Sequence, residues 1–161
     1  MVEEAELAAA LRAGIKLEFI MFDYYDSLLP RMTGLEARRA IAGIRLQELD
    51  HLETTDVILK GILSTPSMYS SQVPPFSGEQ AKVVSPHMRP SDILSLKVPD
   101  ALRVCYSFER YYESAYFKIF ADVRDMTTKA RLMVMVTESR THADSLGNIL
   151  KGMGEEVPKT V

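Results

Sequence analysis

Apolar side chains recur along most of the chain at alternating spacings of four and three residues. This spacing is the period of one face of an α-helix packed against neighbours. Four stretches carry the pattern, and they predict helices over residues 2–29, 33–62, 99–124 and 126–151. The pattern therefore predicts an all-α protein with four long helices.

Helix-breaking and capping residues support these boundaries. Pro30 stops the first helix because proline cannot continue a helix interior, and Thr33-Gly34-Leu35-Glu36 is a capping-box pattern at the start of the second. Pro99 suits the first turn of the third helix. Asp125 or Thr127 is expected to cap the fourth.

The segment 63–98 interrupts the helical pattern with repeated prolines and serines. We interpret it as a crossover that runs along a bundle and joins two helical hairpins, with a short helical turn near residues 91–96. The sequence thus predicts one domain over residues 1–161, a four-helix bundle made of two hairpins and a long crossover.

Composition narrows the choice of partners and compartment. The chain of 161 residues has a net charge of −3 with mixed signs, which gives no electrostatic reason to expect nucleic acid or an anionic membrane as a partner. Its single cysteine, Cys105, excludes an intramolecular disulfide and a Cys-x-x-Cys metal site. The acidic N-terminus is unlike a secretory signal, and we expect a cytoplasmic protein.

Charged and imidazole side chains interrupt the apolar stripes at the centres of the helices. Glu48 and His51 lie one turn apart on the second helix, while Glu18, Glu109 and His142 occupy the stripes of the first, third and fourth. A carboxylate moved into a core costs several kcal/mol unless something pairs with it. These positions therefore predict a buried partner, and a metal ion is the obvious candidate.

The two halves of the chain repeat with an offset of 91 residues. The offset joins Glu18 to Glu109, His51 to His142, Glu48 to Ser139, Leu11 to Leu102, Tyr25 to Tyr116 and Ile58 to Ile149. A pseudo-twofold arrangement of two such hairpins would bring their central polar levels together. The second copy is complete except at Ser139, where the repeat predicts glutamate.

This pattern resembles the ferritin-like di-iron proteins, and rubrerythrin most closely. In that family, one Glu from each of two helices and a Glu-x-x-His motif from each of the other two hold two metal ions. The resemblance covers all four helices. By resemblance, Glu18 and Glu109 would be terminal ligands, Glu48 would bridge the metals, and His51 and His142 would each cap one.

The sequence departs from the family at three points. Ser139 replaces the second bridging carboxylate, although neighbouring Glu138 could serve as a metal ligand if the fourth helix is rotated, because it shares a face with His142. Tyr112 stands where rubrerythrin has a further Glu. With one cysteine there is no rubredoxin module, so a redox-active protein would need a separate electron donor.

Three functions follow from these residues. The leading hypothesis is a rubrerythrin-like metal-binding protein, a homodimer holding iron, or else manganese or zinc, and oxidising Fe(II) with O2 or peroxide. The alternative is a non-enzymatic dimer or interaction scaffold with a decayed metal site. A third hypothesis is iron storage in a cage. The tyrosines Tyr25, Tyr112 and Tyr116 are interpreted as core packing.

Overall fold

A computed structural model describes residues 4–64 and 90–159, and these residues contain helices and no strand. The helices are α1 (Glu4–Leu28), α2 (Leu35–Ser64), α3 (Pro90–Ile93), α4 (Val98–Asp122) and α5 (Met126–Gly152). The all-α prediction is confirmed for this part of the chain. None of the helices in the described ranges is long and apolar enough to cross a bilayer.

The helix ends lie close to the predicted ones. Pro30 falls in the 3-10 turn Leu29–Arg31 that follows α1, and Pro99 lies in the first turn of α4. The Asp125 side chain caps α5 by accepting a hydrogen bond from the Thr128 backbone N–H at 2.6 Å. The second helix extends two residues past its predicted end.

The crossover is described only at its ends. Residues 65–89 lie outside the described residues, while the short helical turn predicted near residues 91–96 is α3. The Arg31 side chain donates hydrogen bonds to the carbonyls of Ile93 and Leu96, and Ile93 is fully buried. The end of the crossover is therefore fixed to the end of α1.

Gly34 sets the entry into α2. Its φ is +91°, a left-handed conformation that side chains disfavour, and its carbonyl accepts the Arg38 N–H at 3.1 Å. We expect Gly34→Ala to lower the free energy of unfolding by about 1–2 kcal/mol. The exposed helical Gly43, where an added Cβ meets nothing within 4 Å, is the matched control.

Gly43→Ala should act in the opposite direction and stabilise α2 by up to about 1 kcal/mol, because alanine is the better helix former. Urea unfolding of both variants measures the difference. Equal effects of the two substitutions would contradict the conformational role of Gly34.

The long helices pack in two pairs. Helix α1 packs against α2 and α4 against α5, and the pairs meet where α1 contacts α4 and α2 contacts α5. The apolar stripes predicted from the sequence form the shared core, as shown by the fully buried Leu11, Met21, Leu102 and Leu146. The middle of this core is where the polar residues of the four stripes meet.

Candidate metal centre

Five residues predicted to bind metal lie together in the core, and each is at most 2% exposed. They come from the four long helices: Glu18 of α1, Glu48 and His51 of α2, Glu109 of α4 and His142 of α5. Their ligand atoms form two groups, one of Glu18, Glu48 and His51 and the other of Glu48, Glu109 and His142. Glu48 belongs to both groups.

Glu48 directs one carboxylate oxygen to each group. Its Oε2 lies 3.9 Å from His51 Nδ1, which is 3.7 Å from Glu18 Oε2. Its Oε1 lies 3.2 Å from His142 Nδ1, which is 3.4 Å from Glu109 Oε2. The two imidazole rings stack at a centroid distance of 5.6 Å. A carboxylate placed between two such groups could bind one cation with each of its oxygens.

The separations around His142, 3.2 and 3.4 Å, match those of two ligands on one ion, whereas the separations around His51, 3.7 and 3.9 Å, are wider. Two ligand atoms bound at about 2.1 Å lie about 3.0 Å apart at a right angle and about 3.4 Å apart at a tetrahedral angle. Within the part of the chain described, both Glu48 oxygens, Glu18 Oε2, Glu109 Oε2 and His142 Nδ1 make no hydrogen bond. Buried polar atoms normally have a partner, and two cations would supply one to each of these atoms.

The outer nitrogen of each histidine is already engaged. His51 Nε2–H donates to Glu138 Oε2 at 2.8 Å, and His142 Nε2–H donates to Gln47 Oε1 at 2.8 Å. The Gln47 amide in turn donates to Glu138 Oε1 at 3.4 Å. Holding the proton on Nε2 leaves the Nδ1 lone pair for a metal, and such outer partners orient metal-binding histidines.

Helix α5 turns Ser139, not Glu138, into the core. Ser139 is 1% exposed, whereas the Glu138 side chain is 30% exposed. The rotated register that would make Glu138 a ligand is therefore not the one observed, and Glu138 lies in neither group. Its contact is with the far nitrogen of His51. The role of Gln47 as a partner of His142 was not predicted. The repeat did contain a signal for it, because Gln47 lies 91 residues before Glu138.

Two tyrosines cross between the hairpins and hold the outer glutamates. Tyr25 donates to Glu109 Oε1 and Tyr116 donates to Glu18 Oε1, each at 2.5 Å. Burial raises the pKa of both phenols well above its usual value, as do the nearby carboxylates, so they stay protonated donors. Each glutamate thus keeps one oxygen, Oε2, free to face the centre. Core packing, predicted from the sequence, is only part of their role.

Gly14 makes room for one of these tyrosines. A Cβ at this position would lie 3.2 Å from the Tyr116 hydroxyl, which is tighter than an ordinary contact. Tyr116 also lies 3.3 Å from Thr55 Oγ1. The close approach of α1 therefore places the phenol where it can reach Glu18.

Without a cation, burial and the neighbouring charges shift the pKa values of side chains in the centre. Burial raises the pKa of Glu48 well above its usual value, and the charges of Glu109 and Glu18 raise it further. Burial alone would lower the pKa of His51, but the hydrogen bond and charge of Glu18, with Glu138 and Glu109, raise it to about 9. A metal ion would displace the proton from the Nδ1 of His51.

Glu138→Gln tests the outer hydrogen bond to His51. We expect it to weaken metal binding by about 10- to 100-fold, since an amide is a weaker hydrogen-bond acceptor than a carboxylate and therefore lowers the basicity of the histidine ligand. Competition against a chromogenic chelator measures the affinity. Glu53→Gln, on the exposed face of α2, removes the same charge without touching His51 and should leave the affinity unchanged. Equal loss in both variants would point to net charge as the cause.

Comparison with models of protein families, with curated proteins and with solved structures found no match for this chain. The assignment of a function therefore depends on the residues of the centre and their geometry.

Proposed function

We propose that this chain is a rubrerythrin-like metal-binding protein, a ferritin-like four-helix bundle whose buried centre holds two iron ions. The observation that carries the proposal is Glu48, whose two unbonded oxygens face two different pairs of glutamate and histidine. A buried carboxylate placed between two imidazoles and two further carboxylates is costly unless cations neutralise it.

The residues of the centre suit a pair of iron ions. Two nitrogens and three carboxylates form a mixed N/O ligand set, which suits iron, manganese or zinc. The carboxylates would neutralise most of the charge of two divalent ions, the histidines would each direct one Nδ1 lone pair inward, and Tyr25 and Tyr116 would hold the outer glutamates in place. With one ligand atom from each residue of a group, each ion keeps coordination positions for an oxidant.

Bound iron would supply two electrons, one from each Fe(II), which is enough with two protons to reduce one peroxide molecule to two water molecules. The chain would contribute binding, orientation and burial of the centre away from water. The one cysteine of the bundle cannot build a four-cysteine iron site, so the electrons that reduce the ferric product would come from outside the bundle.

Anaerobic titration of the metal-free protein with Fe(II), followed by addition of peroxide, tests the proposal. We expect two ions bound per chain and a rise in ferric absorbance that consumes half a peroxide per ion. Parallel titrations with Mn(II) and Zn(II) identify the preferred metal. Binding of no ion above the level found for Glu48→Ala would overturn the proposal.

A second candidate is a non-enzymatic bundle, acting as a dimer or interaction scaffold, whose metal site has decayed. Ser139 favours it, because the repeat predicts a carboxylate there. This candidate requires stability that is indifferent to chelator. Marked thermal destabilisation on chelation would exclude it, because only a ligand bound by the folded state stabilises in this way.

We also propose that the chain forms a homodimer. Size-exclusion chromatography with light scattering tests it directly. A mass of two chains supports the dimer, whereas a large closed assembly would favour iron storage.

A further inference from the structure

Ser139 is the one position at which the repeat around the centre fails to supply a carboxylate. It is 1% exposed and lies one turn before His142, in the place that Glu48 holds before His51. Among the described residues its hydroxyl finds no hydrogen-bond partner. A buried hydroxyl without a partner on the metal-facing side of α5 indicates a missing ligand.

The chemistry of that ligand follows from the difference between the two side chains. Glutamate has three heavy atoms more than serine, and when the serine Oγ stands in for the glutamate Cγ, these are the carbon and two oxygens of a carboxylate group. They are also the heavy atoms of formate. A formate ion therefore matches the part of glutamate that Ser139 lacks.

The charge of the centre also favours a bound anion. Glu18, Glu48 and Glu109 are the buried carboxylates of the two groups, and together they supply three negative charges against four positive charges of two divalent ions. A net charge in a core is costly. One additional monoanion balances the charge of the two ions and their ligands, as a second bridging glutamate would; Glu138 is left out of this count because it lies in neither group and is 30% exposed.

We propose that a small carboxylate of formate size binds beside Ser139 and bridges the two metal ions in place of the missing glutamate, with the Ser139 hydroxyl donating a hydrogen bond to it. This inference rests on the proposed function, because the anion has no counter-charge in the metal-free centre. If the anion bridges the ions, the affinity for the second ion depends on the anion. By thermodynamic reciprocity, the affinity for the anion depends equally on the ions.

Zinc is the suitable probe because it is redox-inactive. The metal-free protein is titrated with Zn(II) in sodium chloride or in sodium formate of equal ionic strength, and bound zinc and the thermal midpoint are measured. We expect formate to tighten the weaker zinc site by at least about tenfold, a coupling of typical size. Acetate should act less strongly, and benzoate, which is much larger than the three heavy atoms that Ser139 lacks, should have no effect.

Three variants separate this site from others. Ser139→Glu supplies the carboxylate internally, so it should bind two zinc ions in chloride and ignore formate. Ser139→Ala keeps the space but loses the donor, so its response to formate should be reduced. Ser107→Ala removes a buried serine of α4 that lies in neither ligand group and should respond as the wild type does.

Two zinc ions bound equally well in chloride and formate would overturn the inference and leave the proposed function intact. A formate response that persists in Ser139→Glu, or one that benzoate reproduces in the wild type, would also overturn it, since the anion would then bind elsewhere. No zinc or iron bound under any condition would instead overturn the proposed function.

Discussion

Glu48→Met should abolish metal binding and at the same time stabilise the metal-free protein. Glu48 contributes to both groups, so its loss removes the bridge and leaves each group with one carboxylate and one histidine. Without metal, its two oxygens are buried and make no hydrogen bond to described residues. A buried polar group without a hydrogen bond costs about 1–3 kcal/mol, so an apolar side chain of similar volume at this position should recover much of that cost.

Urea unfolding with and without chelator, together with metal analysis, measures both effects. The wild type should lose stability on chelation, whereas Glu48→Met should unfold at the same urea concentration in both conditions. Glu53→Met, on the exposed face of the same helix, is the control and should change neither property. A metal-free Glu48→Met protein several kcal/mol less stable than the metal-free wild type would mean that Glu48 serves the fold.

The metal-free protein should lose stability as the pH rises from about 6 to 9. The pKa of His51 is raised from 6.5 to about 9 in the folded state. The folded protein therefore holds this proton more tightly than the unfolded chain does. The resulting stability is fully present below pH 6.5 and is lost as the pH rises through 9, an effect on the order of 3 kcal/mol.

Protonation of Glu48 should change the pH dependence of stability in the same direction. Its pKa is raised by burial and by the charges of Glu109 and Glu18, so the folded state again binds the extra proton. The stability that this proton brings is present at acidic pH, below the ordinary carboxyl range, and decreases as the pH rises through the folded pKa. Metal loading should reverse the slope, because cations compete with protons for the same atoms.

Urea unfolding at pH 6, 7.5 and 9, with chelator or with zinc, measures the two slopes. We expect the curves for the metal-free and loaded proteins to diverge as the pH rises. His51→Gln should reduce the slope of the metal-free curve, since one of the two groups with a raised pKa is gone. A metal-free stability that rises between pH 6 and 9 would contradict the observed pairing of His51 with the carboxylates.

The helical spacing and the 91-residue repeat predicted most of the fold and of the candidate site. Alternating spacings of four and three residues depend only on helix geometry, so the four long helices could be predicted from the chain alone. The cap of the last helix was predicted as Asp125 or Thr127, and it is Asp125. The 91-residue offset predicted that Glu18, Glu48, His51, Glu109 and His142 would converge, and they do.

Partners across helices were harder to predict. The bonds from His142 to Gln47 and from Tyr116 to Glu18 join residues more than 90 positions apart, and they depend on how each helix is rotated about its axis. The rotation of α5 about its axis also determines that Ser139, and not Glu138, faces the core. Spacing along one helix does not determine rotation relative to another, although the offset between Gln47 and Glu138 was available as a signal.

Anomalous diffraction from crystals of the zinc-loaded or iron-loaded protein tests the metal centre most directly. We expect two peaks in the core, each about 2.0–2.2 Å from an oxygen of Glu48, one beside His51 Nδ1 and the other beside His142 Nδ1. Peaks confined to surface residues, with Glu48 still between two metal-free histidines, would contradict the assignment of this site.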